Sequence, residues 1–378
     1  MSGKVLQLCL SKGAGGLEVY LARIITGLQQ QGWTVYGVAL EGTRVAEYMH
    51  AAGIRYRARK SQARALMSVR SIVRWMRLEG IDVIHCHKSS DLRLAALIKC
   101  FLPRTKLIYT DHVGSKREKK DMFHRWAYGK VDRVLSISDE TRERNVKALP
   151  LPADRITRLH HGIEIDQFPP LASIEARHAL LKELDLPTDR ATICLPARVA
   201  EGKGHDVWVE ALAQLPDGLP WHGVILGGTV WSQGGDENYV ERIEALIERL
   251  GLASRITFTG HRSDIRRLLP AFDVLCIPSR NEAFGLTVIE SMAAGRPVVG
   301  SNSGAIPELL AEDSGLLATY DDPASWAAQL TRLLKDESLQ ETLGRRGRER
   351  VEAHFSQQQH VAKLIQLYTD PTNIGPVL

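Results

Sequence analysis

Short apolar runs alternate with helix-length segments along this chain, and the pattern is interrupted once and then restarts. In the first half the runs 5–10, 34–40, 83–87, 106–110, 133–138 and 156–160 have strand length, while 17–31, 65–77 and 92–101 have helical length. Strands that are apolar throughout are strands buried on both faces. Helices between them predict parallel neighbours joined by crossovers. Residues 162–189, with Pro169, Pro170 and Pro187 around a short charged helix, read as a connection. The alternation resumes with strands at 192–196, 222–226, 256–259, 274–278 and 297–300, helices near 207–215, 239–250 and 286–294, and two C-terminal helices. For 378 residues this predicts an α/β protein of two doubly wound domains, 1–165 and 166–356. Ligands of such sheets sit at the C-terminal ends of strands, and every motif below falls there.

Composition narrows the class. Hydrophobic residues make up 44% and charged residues 25%, so a large core is available and disorder is not indicated. Five cysteines (Cys9, Cys86, Cys100, Cys194, Cys276) form no C-x-x-C pair and read as buried free thiols of a reducing compartment. No apolar run reaches the roughly 18 residues of a membrane helix, which with the cysteines predicts a cytoplasmic protein.

Residues 278–290 carry the most chemistry. An apolar strand feeds a loop containing Glu282, and a helix leaves it through Phe284, Gly285 and Leu286 and carries Glu290. A helix N-terminus presents unpaired N–H groups and suits phosphate. Glu282 can accept hydrogen bonds from sugar hydroxyls, and Glu290 from a ribose. Arg198 and Lys203 lie in another strand-to-helix loop, where fixed cations would stabilise a departing diphosphate. Together these groups would hold a sugar nucleotide.

The E-x7-E spacing of Glu282 and Glu290, with the R-x4-K-G of Arg198 and Lys203, resembles the donor-binding motifs of glycosyltransferase family 4, retaining enzymes with the GT-B fold. The resemblance extends over nearly the whole chain. It implies two Rossmann-like domains facing across a cleft, with the N-terminal one binding acceptor and the C-terminal one binding the nucleotide sugar. It also implies that residues 357–378, with a final helix near 357–369, cross back onto the N-terminal domain. Residues 12–18 look like the family's G-G-x-E loop, in which Gly15 and Gly16 let donor phosphate or acceptor approach closely. His112 stands where the family has a histidine that contacts the transferred sugar. His87, at another strand end, is a candidate for the acceptor side, and Gly227 resembles a nucleotide-side glycine. His161-Gly162-Ile163 departs from the family's Asn-Gly-Val, and residues 302–308 resemble a structural loop. The implied reaction retains anomeric configuration, uses a UDP-sugar or GDP-sugar, and needs no metal. No D-x-D triplet occurs in the chain, and Arg198, Lys203 and the helix N-terminus could replace a metal on the diphosphate. A glycan, lipid-linked or small-molecule acceptor is expected, in cell-surface polysaccharide or lipopolysaccharide assembly.

Rival readings are open. Gly13 and Gly15 after the first strand, with Glu41 ending the second, resemble a dinucleotide fingerprint, but Glu18 occupies the third glycine position. Another sugar-nucleotide enzyme, an epimerase or a phosphorylase, would share the donor motifs. His85, Cys86 and His87 invite a metal reading, which fails because alternate strand residues point to opposite faces. Residues 55–77 contain eight basic and no acidic residues, with apolar positions at helical spacing. They read either as a helix lying on an anionic membrane surface or as a solvated face. A second basic cluster, residues 116–130, is interleaved with Phe123, Trp126 and Tyr128. No nucleic-acid motif accompanies either cluster.

Overall fold

The computed structural model describes residues 3–13 and 15–372. Residues 1, 2 and 373–378 of the expected domains and Ala14 of the glycine loop lie outside them. The chain forms two compact units, one of residues up to Gly162 together with those from Gln357, the other Ile163–Ser356.

The first unit holds β1 (Lys4–Leu8), α1 (Gly16–Gln30), β2 (Thr34–Leu40), α2 (Arg44–Ala51), β3 (Arg55–Arg59), α3 (Gln62–Met67), α4 (Val69–Glu79), β4 (Val83–Cys86), α5 (Leu92–Phe101), β5 (Lys106–Asp111), α6 (Met122–Gly129), β6 (Arg133–Ser136), α7 (Asp139–Ala148) and β7 (Ile156–Arg158). All pairings are parallel, in the order β3-β2-β1-β4-β5-β6-β7. Strand order reverses between β1 and β4, so the loops leaving these two strands flank the switch point where a doubly wound sheet binds ligands. Successive strand residues feed opposite cores. Leu6, Leu8, Ile84 and Leu107 pack with α4 and α5, whereas Val5, Val83 and Ile108 pack with α1 and the C-terminal helix Gln357–Thr369. α7 starts at Ser138, whose Oγ accepts from Thr141 N–H at 3.0 Å while Thr141 Oγ1 accepts from Ser138 N–H at 2.9 Å, a reciprocal cap.

The second unit holds α8 (Ile174–Glu183), β8 (Ala191–Leu195), α9 (His205–Leu212), β9 (Trp221–Ile225), α10 (Glu237–Arg249), β10 (Ile256–Phe258), α11 (Ile265–Leu268), β11 (Val274–Ile277), α12 (Leu286–Ala293), β12 (Val298–Ser301), α13 (Ile306–Leu309), β13 (Leu316–Ala318), α14 (Pro323–Lys335) and α15 (Glu337–His354). Its parallel sheet runs β10-β9-β8-β11-β12-β13, with the switch between β8 and β11. Ile193, Leu195, Cys276 and Val299 pack against Trp208 of α9, Ile243 of α10 and Trp326 of α14. The chain enters this unit at Ile163 and ends it at Ser356, and those two residues form a parallel bridge.

The structure corrects several expectations. The helix expected over 65–77 is two helices divided at Ser68, and residues 55–59 form β3, an edge strand. Alternating arginines hid that strand. Arg55 pairs with Glu79 at 2.7 Å, Arg57 lies 4.7 Å over the Trp75 ring, and Arg59 donates to Ser68 Oγ at 2.9 Å. Their stems cover the edge as apolar side chains would. These three cations are engaged in the fold and are not on a membrane-facing helix. The helices α2 and α6, the polar α7 and the short α11, α13 and β13 are not among the expected elements, and three C-terminal helices stand where two were expected. Cys100 is exposed; the other four thiols are buried, and all five are free. Among the described residues no helix is long and apolar enough to cross a membrane.

Candidate active site

In the second unit, the two loops at the switch point bring together residues far apart in sequence. The loop after β8 carries Arg198 and Lys203, and the loop after β11 carries Glu282. Arg280 N–H donates to Gly202 C=O at 2.8 Å and joins the two loops. The Lys203 ammonium contacts the Glu282 carboxylate, both side chains about a quarter exposed. Arg198 is exposed, and its Nη1 donates to Gly234 C=O at 3.3 Å. Gly227 follows β9 and lies against the Ala197–Arg198 backbone, where a Cβ would fall 2.0 Å from Ala197 O.

The Glu282 loop is braced from beneath. Asn281 N–H donates to Ser303 Oγ at 3.0 Å, and Ala305 N–H donates to Glu282 C=O at 2.9 Å. Gly304, at φ +63°, permits this approach, since a Cβ there would meet Glu282 O at 2.4 Å. Residues 302–305 are therefore a buttress for the site. Gly285, at φ +100°, turns the chain into α12, and among the described residues no side chain caps that helix. An uncapped N-terminus leaves its first N–H groups facing outward. Phe284 turns inward, its ring 6.4 Å from that of Phe355, so only its backbone is offered to a ligand. Leu286 is half-buried in the first turn, and Glu290 is half-buried in the second.

A cavity of about 270 Å³ adjoins Lys203, lined by Gly202, Gly204, Asp206, Tyr239, Arg280 and Tyr320. A larger one, about 870 Å³, is lined by Arg177, Asp273 and Arg296 at the opposite, N-terminal ends of the strands, away from every motif residue.

In the first unit, the loop after β1 is anchored by Asp91, whose Oδ2 accepts from Leu10 N–H at 2.7 Å. Burial raises the Asp91 carboxyl to about 6 despite that bond. Glu18 is buried, and its Oε2 accepts from Gly15 N–H at 2.7 Å, so it caps α1. A Cβ on Gly16 would meet nothing within 4 Å, and one on Gly15 only Glu18 Oε2 at 3.7 Å. Neither glycine has a positive φ. Packing within the fold therefore does not require either to be glycine.

His87 directly follows β4, with Nε2 2.7 Å from Gln7 Oε1. His85, two residues earlier, is 2.7 Å from Thr110 Oγ1 and 2.6 Å from the Tyr368 hydroxyl. The two rings share a face of the sheet, with centroids 4.1 Å apart. Among the described residues no three His, Cys, Asp or Glu side chains form a group that could hold a metal ion. His112 follows β5. Its ring stacks on His161 at 5.4 Å and meets Tyr20 edge-on at 4.9 Å. Both His112 ring nitrogens are buried without a hydrogen-bond partner among the described residues. Burial, with His360 nearby, holds its pKa down at about 3, so it is neutral at pH 7. An orphaned neutral imidazole in an enzyme-like fold is a place for a ligand to bind.

Sequence reasoning missed Tyr20, His161 and His360 as parts of this cluster. His360 lies 2.6 Å from His160 C=O and 3.0 Å from the Tyr20 hydroxyl. No sequence signal links residues 20, 112 and 360. His161 was visible only as a replacement for asparagine.

Two family models match the chain, "Glycosyltransferase Family 4" over residues 14–167 and "Glycosyl transferases group 1" over 177–350. A D-inositol 3-phosphate glycosyltransferase of Xylanimonas cellulosilytica is 33% identical over 65% of this chain, which spans 58% of that protein. The lipopolysaccharide core biosynthesis mannosyltransferase LpsB of Rhizobium meliloti is 28% identical over 78% of this chain and 81% of its own. The crystal structure of Anabaena Alr3699/HepE in complex with UDP and glucose superposes with a TM-score of 0.79 at 20% identity, covering 97% of this chain and 99% of that one.

Proposed function

The chain belongs to glycosyltransferase family 4, with the GT-B fold, and from that premise we propose that it transfers a sugar, with retention and without a metal, from a UDP-sugar or GDP-sugar. The observation that carries this reading is the meeting of Lys203 and Glu282 beside the uncapped start of α12. A cation, a carboxylate and a row of outward N–H groups at a switch point match the parts of a sugar diphosphate. Lys203 and Arg198 would take the charge that develops on the diphosphate, the term that contributes most in such reactions. The α12 N-terminus would hold the phosphates, with Phe284, Gly285 and Leu286 contributing backbone. Glu282 would fix sugar hydroxyls once the sugar competes for its contact with Lys203, and Glu290 would hold the ribose. His112, with two unpaired nitrogens, suits a hydroxyl of the transferred sugar, and the open space over Gly15 and Gly16 suits close approach of phosphate or acceptor.

In the step, the bond from the anomeric carbon to the diphosphate breaks and one to the acceptor oxygen forms on the same face. The acceptor proton passes to a diphosphate oxygen. Lys203 and Arg198 would supply the charge neutralisation that a metal supplies elsewhere. The LpsB likeness supports an acceptor in lipopolysaccharide or cell-surface polysaccharide assembly, and use of a nucleotide-sugar donor would suit work in the cytoplasm.

A thermal-shift comparison of UDP, GDP, ADP and NAD, each with and without EDTA, tests the proposal. A shift by UDP or GDP that survives EDTA, and is lost in Lys203→Ala, is expected. A shift that EDTA abolishes would overturn metal independence. A shift by NAD alone would return the glycine loop to the dinucleotide reading. Turnover that releases free sugar phosphate or an epimer would favour the phosphorylase or epimerase.

A further inference from the structure

Toward the ends of β1, β4 and β5, the face covered by α1 and the C-terminal helix changes from apolar to polar. Val5, Val83 and Ile108 are followed two residues later by Gln7, His85 and Thr110, all buried. Gln7 and His85 are register partners on neighbouring strands. Buried polar groups need partners, so the direction of each hydrogen bond here is set by the next one.

The chain of bonds starts at a backbone carbonyl, which can only accept. His360 Nδ1 lies 2.6 Å from His160 C=O and therefore donates to it. Burial keeps His360 neutral at pH 7, so its Nε2 is an acceptor. The Tyr20 hydroxyl, 3.0 Å away, donates to that nitrogen. The Tyr20 oxygen in turn accepts from the Thr110 hydroxyl. With its proton so used, Thr110 Oγ1 accepts from His85 Nε2 at 2.7 Å. His85, also held neutral by burial, accepts at Nδ1 from the Tyr368 hydroxyl at 2.6 Å. The Tyr368 oxygen accepts from Gln7 Nε2 at 3.4 Å, which turns Gln7 Oε1 toward His87 Nε2 at 2.7 Å. His87 Nε2 therefore carries the proton. Burial keeps this ring neutral as well, and its Nδ1 is a bare lone pair, buried and without a partner among the described residues.

On the premise of the sugar transfer proposed above, we propose that His87 Nδ1 accepts a hydrogen bond from a hydroxyl of the transferred sugar, with Gln7 and Tyr368 as positioning residues that fix its tautomer. The His87 and His112 rings are 5.8 Å apart at their centroids and inclined by 31°, so one pyranose can meet both. A lone pair is satisfied only by a donor. The site therefore selects a hydroxyl and rejects a methoxy or fluoro group in its place.

Nitrogen NMR of the full chain, made with isotope-labelled histidine, tests the tautomer with no ligand present. The His87 signals, identified by their loss in His87→Gln, should show a protonated Nε2 and an unprotonated Nδ1. UDP-glucose or GDP-mannose should then move the Nδ1 signal, and UDP or GDP should not. By calorimetry, His87→Gln should bind the nucleotide sugar about tenfold more weakly, as loss of one hydrogen bond does, and bind UDP or GDP as before. His87→Asn, which sets an amide oxygen near the Nδ1 position, should recover part of that loss. Tyr368→Phe, on the C-terminal helix, should weaken the nucleotide sugar by about threefold and leave the nucleoside diphosphate unchanged. A protonated Nδ1, or a signal that no bound nucleotide sugar moves, would overturn the proposal. So would equal weakening of nucleotide sugar and nucleoside diphosphate in His87→Gln, the mark of a merely structural role. A signal moved only by methyl α-mannopyranoside would give the lone pair to an acceptor hydroxyl and overturn its assignment to the transferred sugar. Failure of both UDP-glucose and GDP-mannose to bind the native chain would overturn the sugar transfer itself, and this contact with it.

Discussion

Acidification from pH 7 to pH 5 should weaken the first unit by an amount that can be worked from its interior. Burial holds His112 at about 3 and His360 at about 4, against an ordinary 6.5. For a group whose folded pKa is depressed in this way, the unfolded chain binds the proton and the folded one does not. Stability is therefore present above the unfolded pKa and falls as pH drops through the window between 6.5 and the folded value. Over pH 7 to 5 each histidine costs about 2 kcal/mol, about 4 kcal/mol for both. Asp91 opposes them. Its carboxyl is raised to about 6 from 3.8, so the folded state takes up its proton first and gains about 1 kcal/mol over the same range. The net loss is about 3 kcal/mol, and His85, His87 and His161, all held low by burial, act in the same direction. Urea unfolding followed by circular dichroism at pH 7, 6 and 5 measures it. His360→Gln should lower stability at pH 7, because its contacts with Tyr20 and His160 go, but should reduce the pH dependence by about 2 kcal/mol. A denaturation midpoint that holds or rises on acidification, or a pH slope unchanged in His360→Gln, would refute the reasoning.

Three substitutions test the site more directly. Lys203→Ala should lower kcat by about 10²–10³, as loss of one preorganised charge at a leaving group does, and steady-state kinetics with unaltered unfolding would check it. Gly16→Ala should leave stability within about 0.5 kcal/mol, since its Cβ meets nothing, yet raise KM for donor or acceptor; unchanged kinetics would mean nothing approaches that loop. Gly304→Ala should destabilise by at least about 1–2 kcal/mol through its left-handed backbone and, by displacing Glu282, weaken donor binding measured by calorimetry.

What the sequence disclosed follows from what each residue needed. The buried strands could be found because both faces are covered, so after Thr34 the run 35–40 carries no charged or strongly polar residue and ends where β2 ends. The Glu282 and Lys203 loops were legible because turn and helix-start chemistry is local. β3 was not, because an edge strand needs only one paired side and here uses arginine stems in place of apolar groups. α7 was hidden for a related reason: its sequence is almost wholly polar, and what starts it is the Ser138–Thr141 cap rather than a hydrophobic stripe. The histidine cluster lay beyond reach because Tyr20, His112, His161 and His360 come from four separate segments that only the folded sheet gathers. That Lys203 and Glu282 touch could not be read either, since it depends on the order of β8 and β11 in the sheet.

The C-terminal helix sets a condition on how this protein can be made. Val361, Leu364, Leu367 and Tyr368 complete a core begun by Val5, Ile24 and Val35, and His85 shares its polar bond with Tyr368. The ribosome must therefore reach Gln357–Thr369 before the earliest strands are covered. Until then one face of the first sheet waits, with the second unit synthesised in between. Folding in order of synthesis, the common route for multidomain chains, is closed to this half of the molecule. A nascent chain released before Gln357 would leave that apolar face bare, a surface for chaperones or for aggregation.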